Sequence, residues 1–119
     1  MTTLDEFFFG QETSLSIYRD LYAAIDVLGP IKVSVTKSQI AFHRRKAFAW
    51  AWMPGKYLRG KTAPLVLTIL LSRKDPSPRW KQVVEPRTGK FIHHLELYTR
   101  EDIDDEVHAW LQEAWDAVG

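Results

Sequence analysis

The spacing of hydrophobic positions changes several times along the chain, and each change marks an expected element. Thr3 and Glu6 have capping-box spacing and Gly10 supplies a stop, so a short Phe-rich helical turn is expected to open the chain. From Thr13 or Ser14 as N-cap, Leu15, Tyr18, Leu21, Tyr22, Ile25 and Leu28 recur every three or four residues until Gly29 and Pro30 end the pattern. That spacing predicts an amphipathic helix with one buried stripe. After Ile31 the period drops to two. Val33 and Val35 alternate with Lys32, Ser34 and Thr36, then Ile40 and Phe42 with Gln39, Ala41 and His43, which predicts one or two strands.

The sharpest alternation lies between Lys46 and Met53, where Phe48, Trp50 and Trp52 are expected on one face and Ala47, Ala49, Ala51 and Met53 on the other. A polar, glycine-containing loop follows over 54–63. Leu65 to Leu71 is a continuous apolar run rich in β-branched residues, as a central strand covered on both faces would be. Lys74 to Arg79, with two prolines, reads as a turn, and Trp80 to Val84 fits either a short helix or an irregular edge. Arg87 to Lys90 is a turn into a strand over Phe91 to Tyr98. Thr99 with Asp102 at N3 is expected to start a last helix, whose stripe is Ile103, Val107, Trp110, Leu111, Ala114, Trp115 and Val118. The expected fold is α+β, a two-layer sandwich with a mainly antiparallel sheet of about four to six strands, the first and last long helices packed on one face.

At 119 residues with 45% hydrophobic side chains, the chain is expected to form a single domain over 1–119 with a real core. It has no cysteine, so disulfide scaffolds, thiolate metal sites, cysteine nucleophiles and dithiol motifs are excluded together. The N-terminus carries acids where a secretory signal would carry Lys or Arg, and no apolar run approaches the roughly 20 residues that span a bilayer. A cytoplasmic protein without a membrane partner is expected.

The formal net charge of +1 conceals a strong polarity. Between Asp26 and Asp75 there is no acid, while Lys32, Lys37, Arg44, Arg45, Lys46, Lys56, Arg59, Lys61, Arg73 and Lys74 supply ten positive charges. Since the basic stretch is strand-rich and the acidic ends are helical, folding is expected to set a positive sheet edge or face against acidic helices. Phe48, Trp50 and Trp52 beside Arg44, Arg45 and Lys46 combine stacking surface with backbone charge, as single-strand nucleic-acid platforms do. The same aromatics would equally serve as core, with the cations on solvated rims.

Catalytic motifs are sparse. Gly55 to Thr62 matches the phosphate-loop pattern G-x-x-x-x-G-K-[ST], but Ala63 and Pro64 lead into a strand-like run where that loop needs a helix N-terminus. None of His43, His93, His94 and His108 has zinc-ligand spacing. Alternation along 91–98 sends His93 to the side of Leu95 and Leu97, as a core histidine, and His94 to the other side with Glu96 and Tyr98. An imidazole beside a carboxylate is a general acid/base candidate, and a cross-strand polar pair is the structural alternative. The acids at 101–106 suit the first turn of a helix and need no catalytic role.

At Thr36-Lys-Ser-Gln-Ile-Ala-Phe42, Phe48-Ala-Trp50, Gly89-Lys-Phe-Ile-His-His-Leu-Glu-Leu97 and Asp104-Asp-Glu-Val-His-Ala-Trp-Leu-Gln-Glu-Ala114 the chain resembles a bacterial family known as domain of unknown function five-six-five-five. It is also similar to the frataxin-like and YjbR-like small α/β domains, some of them suspected of binding DNA or iron. The resemblance implies the α+β fold and supplies no catalytic residue; fusion of family members to other domains implies an accessory or binding module. The leading expectation is therefore a non-enzymatic module for an anionic partner, nucleic acid first, using Arg44, Arg45, Lys46, Lys56, Arg59 and Lys61 with Trp50 and Trp52. The alternatives are a small-molecule or metal-assisted acid/base site at His94, Glu96 and Tyr98, and a protein-interaction or homodimerisation domain. No cofactor and no dedicated metal-ligand set is implied.

Overall fold

The structure, a computed structural model, describes residues 2–119. Along the chain come helices α1 (Leu4–Phe7) and α2 (Glu12–Asp26), strands β1 (Lys32–Val35), β2 (Ile40–His43) and β3 (Ala47–Trp52), a 3-10 turn at Pro54–Lys56, strands β4 (Leu65–Leu71), β5 (Gln82–Arg87) and β6 (Lys90–Leu97), a 3-10 turn at Arg100–Asp102, and helix α3 (Asp105–Ala117). The strands form one sheet in the order β1-β2-β3-β4-β6-β5, and every neighbouring pair is antiparallel. The α+β two-layer arrangement expected from the pattern is the one observed.

Local signals set most element ends. Thr3 and Glu6 close a reciprocal capping box, with the Glu6 amide donating to Thr3 Oγ1 at 3.1 Å, and α1 follows. Helix α2 starts earlier than Thr13 or Ser14 would have it, with Gln11 as an N-cap that makes no side-chain bond. Ser14 is instead buried in the first turn, where its hydroxyl donates to the Pro64 carbonyl at 2.6 Å and ties α2 to the loop before β4. The Thr99–Asp102 box does form, but it closes only a 3-10 turn; α3 has its own N-cap, the Asp104 carboxylate, which accepts the Val107 amide at 3.1 Å.

Burial separates the two faces of the sheet. Leu65, Leu67, Ile69 and Leu71 of β4 point to the helices and pack with Ile17, Leu21 and Ile25 of α2 and Val107, Leu111 and Ala114 of α3. Ala49 and Ala51 of β3, opposite Ile69 and Leu67, share that side. Among the described residues no helix covers the other face. There Val66 and Thr68 of β4 are buried by their lateral neighbours, since Trp52 lies opposite Val66 and Trp50 opposite Thr68. β4 is thus buried on both faces, as its continuous apolar run predicts, by the helices on one side and by its lateral neighbours on the other.

The aromatic row of β3 is split. The β2–β3 register steps from Phe42–Ala49 to His43–Ala47, which leaves Phe48 as the extra residue of a β-bulge. The bulge rotates Phe48 onto the helix side, where it is fully buried and meets Trp115 of α3 edge-to-face at a centroid distance of 5.8 Å. Trp50 and Trp52 stay on the open face, so strict alternation over Lys46 to Met53 fails at Phe48. The segment from Trp80 that fitted either a short helix or an edge contributes to the edge strand β5, paired to β6.

Candidate functional site: the helix-free face of the sheet

Trp50 and Trp52 project from β3 over a hollow of about 690 Å³ lined also by Ser38, Gln39, Tyr57, Thr68, Val84, Ile92 and His94. The cross-strand register puts these side chains together, since Trp50 is opposite Thr68, Thr68 opposite His94, and Ile92 opposite Val84. The floor is a polar relay. Trp52 donates its Nε1–H to Thr68 Oγ1 at 2.9 Å, and Thr68 Oγ1 lies 2.8 Å from His94 Nδ1. An indole N–H can only donate, and the buried Thr68 hydroxyl has no other acceptor among the described residues, so its proton goes to Nδ1. His94 is thereby the Nε2–H tautomer, and this N–H makes no bond within the described chain. Burial, and after it the neighbouring His93, hold the His94 pKa below the ordinary histidine value, which keeps the ring neutral.

Trp52 is fixed from several sides, with His94 edge-on at 6.0 Å and Tyr57 tilted at 6.4 Å. Trp50 has no aromatic partner among the described residues. It lines both this hollow and a second one of about 780 Å³ at the end of the sheet, formed with Arg45, Lys46, Leu70, Lys90 and the last turn of α3. Arg45, Lys46 and Lys90 are exposed and enter no ion pair among the described residues, whereas Arg73, Arg79, Lys81 and Arg100 are held by acids.

The structure divides the cations read from the sequence. Arg44 lies 4.3 Å over the Trp115 ring and donates to the Trp115 carbonyl at 3.0 Å, so it caps the C-terminus of α3 instead of facing the hollow. Lys56 lies 3.8 Å over the Phe7 ring and donates to the Lys37 carbonyl at 3.2 Å, and burial holds its pKa below the ordinary lysine value. Arg59 and Lys61 are exposed in the loop beyond β3, at the end opposite Arg45 and Lys46. The cations thus flank the aromatic face at two ends and do not form one centre.

The residues of the acid/base candidate are not gathered. His94 is bonded to Thr68, Glu96 pairs with Lys81 at 3.1 Å, and Tyr98 lies on a separate hollow with Glu12, Thr13 and Arg100. His93 faces the core with both nitrogens engaged: Nδ1–H donates to the Phe91 carbonyl at 3.1 Å and Nε2 accepts the Asp75 amide at 3.0 Å. Among the described residues no group of three or more His, Asp or Glu comes together as a metal site, and no helix is long and apolar enough to cross a membrane. In the Gly55–Thr62 stretch the chain runs on into β4, so no helix N-terminus stands behind it. Thr68, Ile92 and Lys90 join the hollows without any motif in the sequence that marks them. Thr68 left one trace, the single hydroxyl in the apolar run of β4.

A family model described as a domain of unknown function (DUF5655) matches residues 4–118. The chain belongs to this family. No curated protein and no solved structure is detectably similar to it. DUF5655 membership covers nearly all of the fold described above and assigns no activity to the open face.

Proposed function

We propose that the helix-free face of the sheet is a binding surface for an anionic partner, with nucleic acid as the first candidate. The observation that carries this reading is the position of Trp50 and Trp52 on the uncovered face with unpaired cations beside them. Arg45, Lys46 and Lys90 stand at one end, and Arg59 and Lys61 lie beyond the other. Most acids lie elsewhere, with Glu12 and Asp20 on α2 and Asp105, Glu106, Glu113 and Asp116 on α3, while Glu96 on the open face is paired with Lys81. A negatively charged partner is drawn to the sheet side and repelled from the helix side. β3 has six residues, so the two basic ends are separated by roughly 17–20 Å, the reach of a few extended nucleotides.

Fluorescence anisotropy with short labelled oligonucleotides across a salt series tests the reading. Affinity should fall steeply with salt, and Lys46→Ala or Lys90→Ala should each weaken binding evenly across sequences and reduce the log–log salt slope by about one. Absent binding at low salt, or binding indifferent to salt, sinks the proposal.

A further inference from the structure

We infer that the open face holds one unpaired nucleobase, stacked on the Trp50 ring, with its phosphate among Arg45, Lys46 and Lys90 and its edge facing the Nε2–H of His94. This deepens the reading above and rests on it. Three features converge on that ligand. Trp50 is the open-face indole without an aromatic partner, and it is shared between the apolar hollow and the basic one, so a ring on it places an attached phosphate beside the cations. Ile92 and Val84 add apolar wall suited to a flat ring, and a hollow of about 690 Å³ is in the range that encloses a small planar ligand.

The third feature is the relay. Because Thr68 donates to Nδ1, His94 presents a fixed donor at the groove floor, held there before any ligand arrives. A fixed donor selects an acceptor, which every unpaired base carries on its exposed edge; the choice of a base over a bare phosphate comes from the stack on Trp50. Preformed geometry also lowers the ordering cost of binding. A base inside a duplex has its faces covered by neighbours and its edge engaged by its partner, so it reaches Trp50 only after unstacking.

The test compares an eight-residue thymidine oligomer, an abasic oligomer with the same number of phosphates, and a duplex containing the thymidine strand, at one salt concentration. Wild-type protein should bind the thymidine strand about tenfold or more tighter than the abasic one, the range a single base–aromatic stack contributes, with the duplex near the abasic value. Trp50→Ala should bring the thymidine strand to the abasic level and leave abasic affinity and salt slope unchanged. Trp50→Phe, which keeps a ring and guards against a folding defect, should retain most of the difference. His94→Phe should lower thymidine binding by a few-fold, the worth of one neutral hydrogen bond, without touching the abasic value.

Equal binding of abasic and thymidine strands by the wild type, with a normal salt slope, overturns the base site and leaves the anionic surface standing. A duplex bound as tightly as the single strand, or a Trp50-dependent homodimer in sedimentation, overturns it as well. If no strand binds at low salt, both readings fall.

Discussion

Phe48→Ala should cost about 4 kcal/mol of folding stability, whereas Trp50→Ala, two residues along the same strand, should cost no more than about 2 kcal/mol. Simple alternation places the two side chains on one face and would make the costs similar. The bulge at the β2–β3 pairing separates them. Phe48 is fully buried against Trp115, so truncation opens a cavity bounded by the sheet and α3, and the residual void adds to the lost transfer energy. Trp50 sits half-buried on a face that no helix covers, and its removal mainly exposes neighbouring apolar surface. Urea unfolding of the two variants, with far-UV circular dichroism to confirm a folded baseline, measures the difference. Equal costs would mean that Phe48 faces the open side and that the bulge is misplaced.

The same bulge marks where the sequence stops being readable. Periodicity predicts α2, β6 and α3 because each buries one stripe or one face, and burial imposes the period that the sequence displays, whereas β4, buried on both faces, shows as a continuous apolar run. It also separated His93 from His94, since successive residues of a strand face opposite ways. A bulge adds one residue to one strand and leaves no compositional trace in Ala47-Phe48-Ala49, so the split of the aromatic row could be seen only from the pairing of β2 with β3. The charge asymmetry was readable as an arithmetic fact, but the fate of each cation was not. Arg44 and Lys56 find carbonyls and rings far away in the chain, Trp115 and Phe7 among them, and those contacts exist only once the layers are packed. The open-face relay is legible in parts. Trp52, Thr68 and His94 come from three different strands, and only the β3–β4–β6 register brings them into line.

Asp75→Ala should be the most destabilising polar substitution, at about 3 kcal/mol, with Asp75→Asn at about 2 kcal/mol, because each orphaned buried donor costs on the order of 1–3 kcal/mol. The turn from Lys74 to Arg79 shows in the sequence by its prolines, and the role of Asp75 within it does not. Its buried carboxylate accepts the Trp80 indole N–H at 2.9 Å, the Ser77 amide at 3.0 Å and Arg73 at 2.8 Å, while its own amide donates to His93 Nε2. The cluster fastens the β4–β5 connection onto β6, and Trp80 packs against Trp110 of α3 with ring centroids 4.1 Å apart and the planes tilted by 38°. Burial alone would raise the Asp75 pKa, but the Trp80, Ser77 and Arg73 bonds outweigh it and hold the carboxyl below the ordinary aspartate value. A carboxyl whose folded pKa is depressed contributes its full stability above the unfolded pKa, about 3.9, and loses it as pH falls through the lower folded value. His93 adds an earlier component. It must stay unprotonated at Nε2 to accept the Asp75 amide, and burial lowers its pKa, so its contribution is complete above the unfolded histidine pKa of about 6.5 and declines below it. His94, held neutral by burial and by the neighbouring His93, acts in the same direction. Chemical denaturation followed from pH 8 to pH 3 should therefore show a first loss of stability beginning near pH 6.5 and a second below about pH 4. In Asp75→Asn the first loss should persist while the second shrinks, with Asp104, whose pKa is also lowered, supplying what remains. A wild-type profile flat from pH 8 down to pH 4 would show that neither histidine is held neutral by the fold.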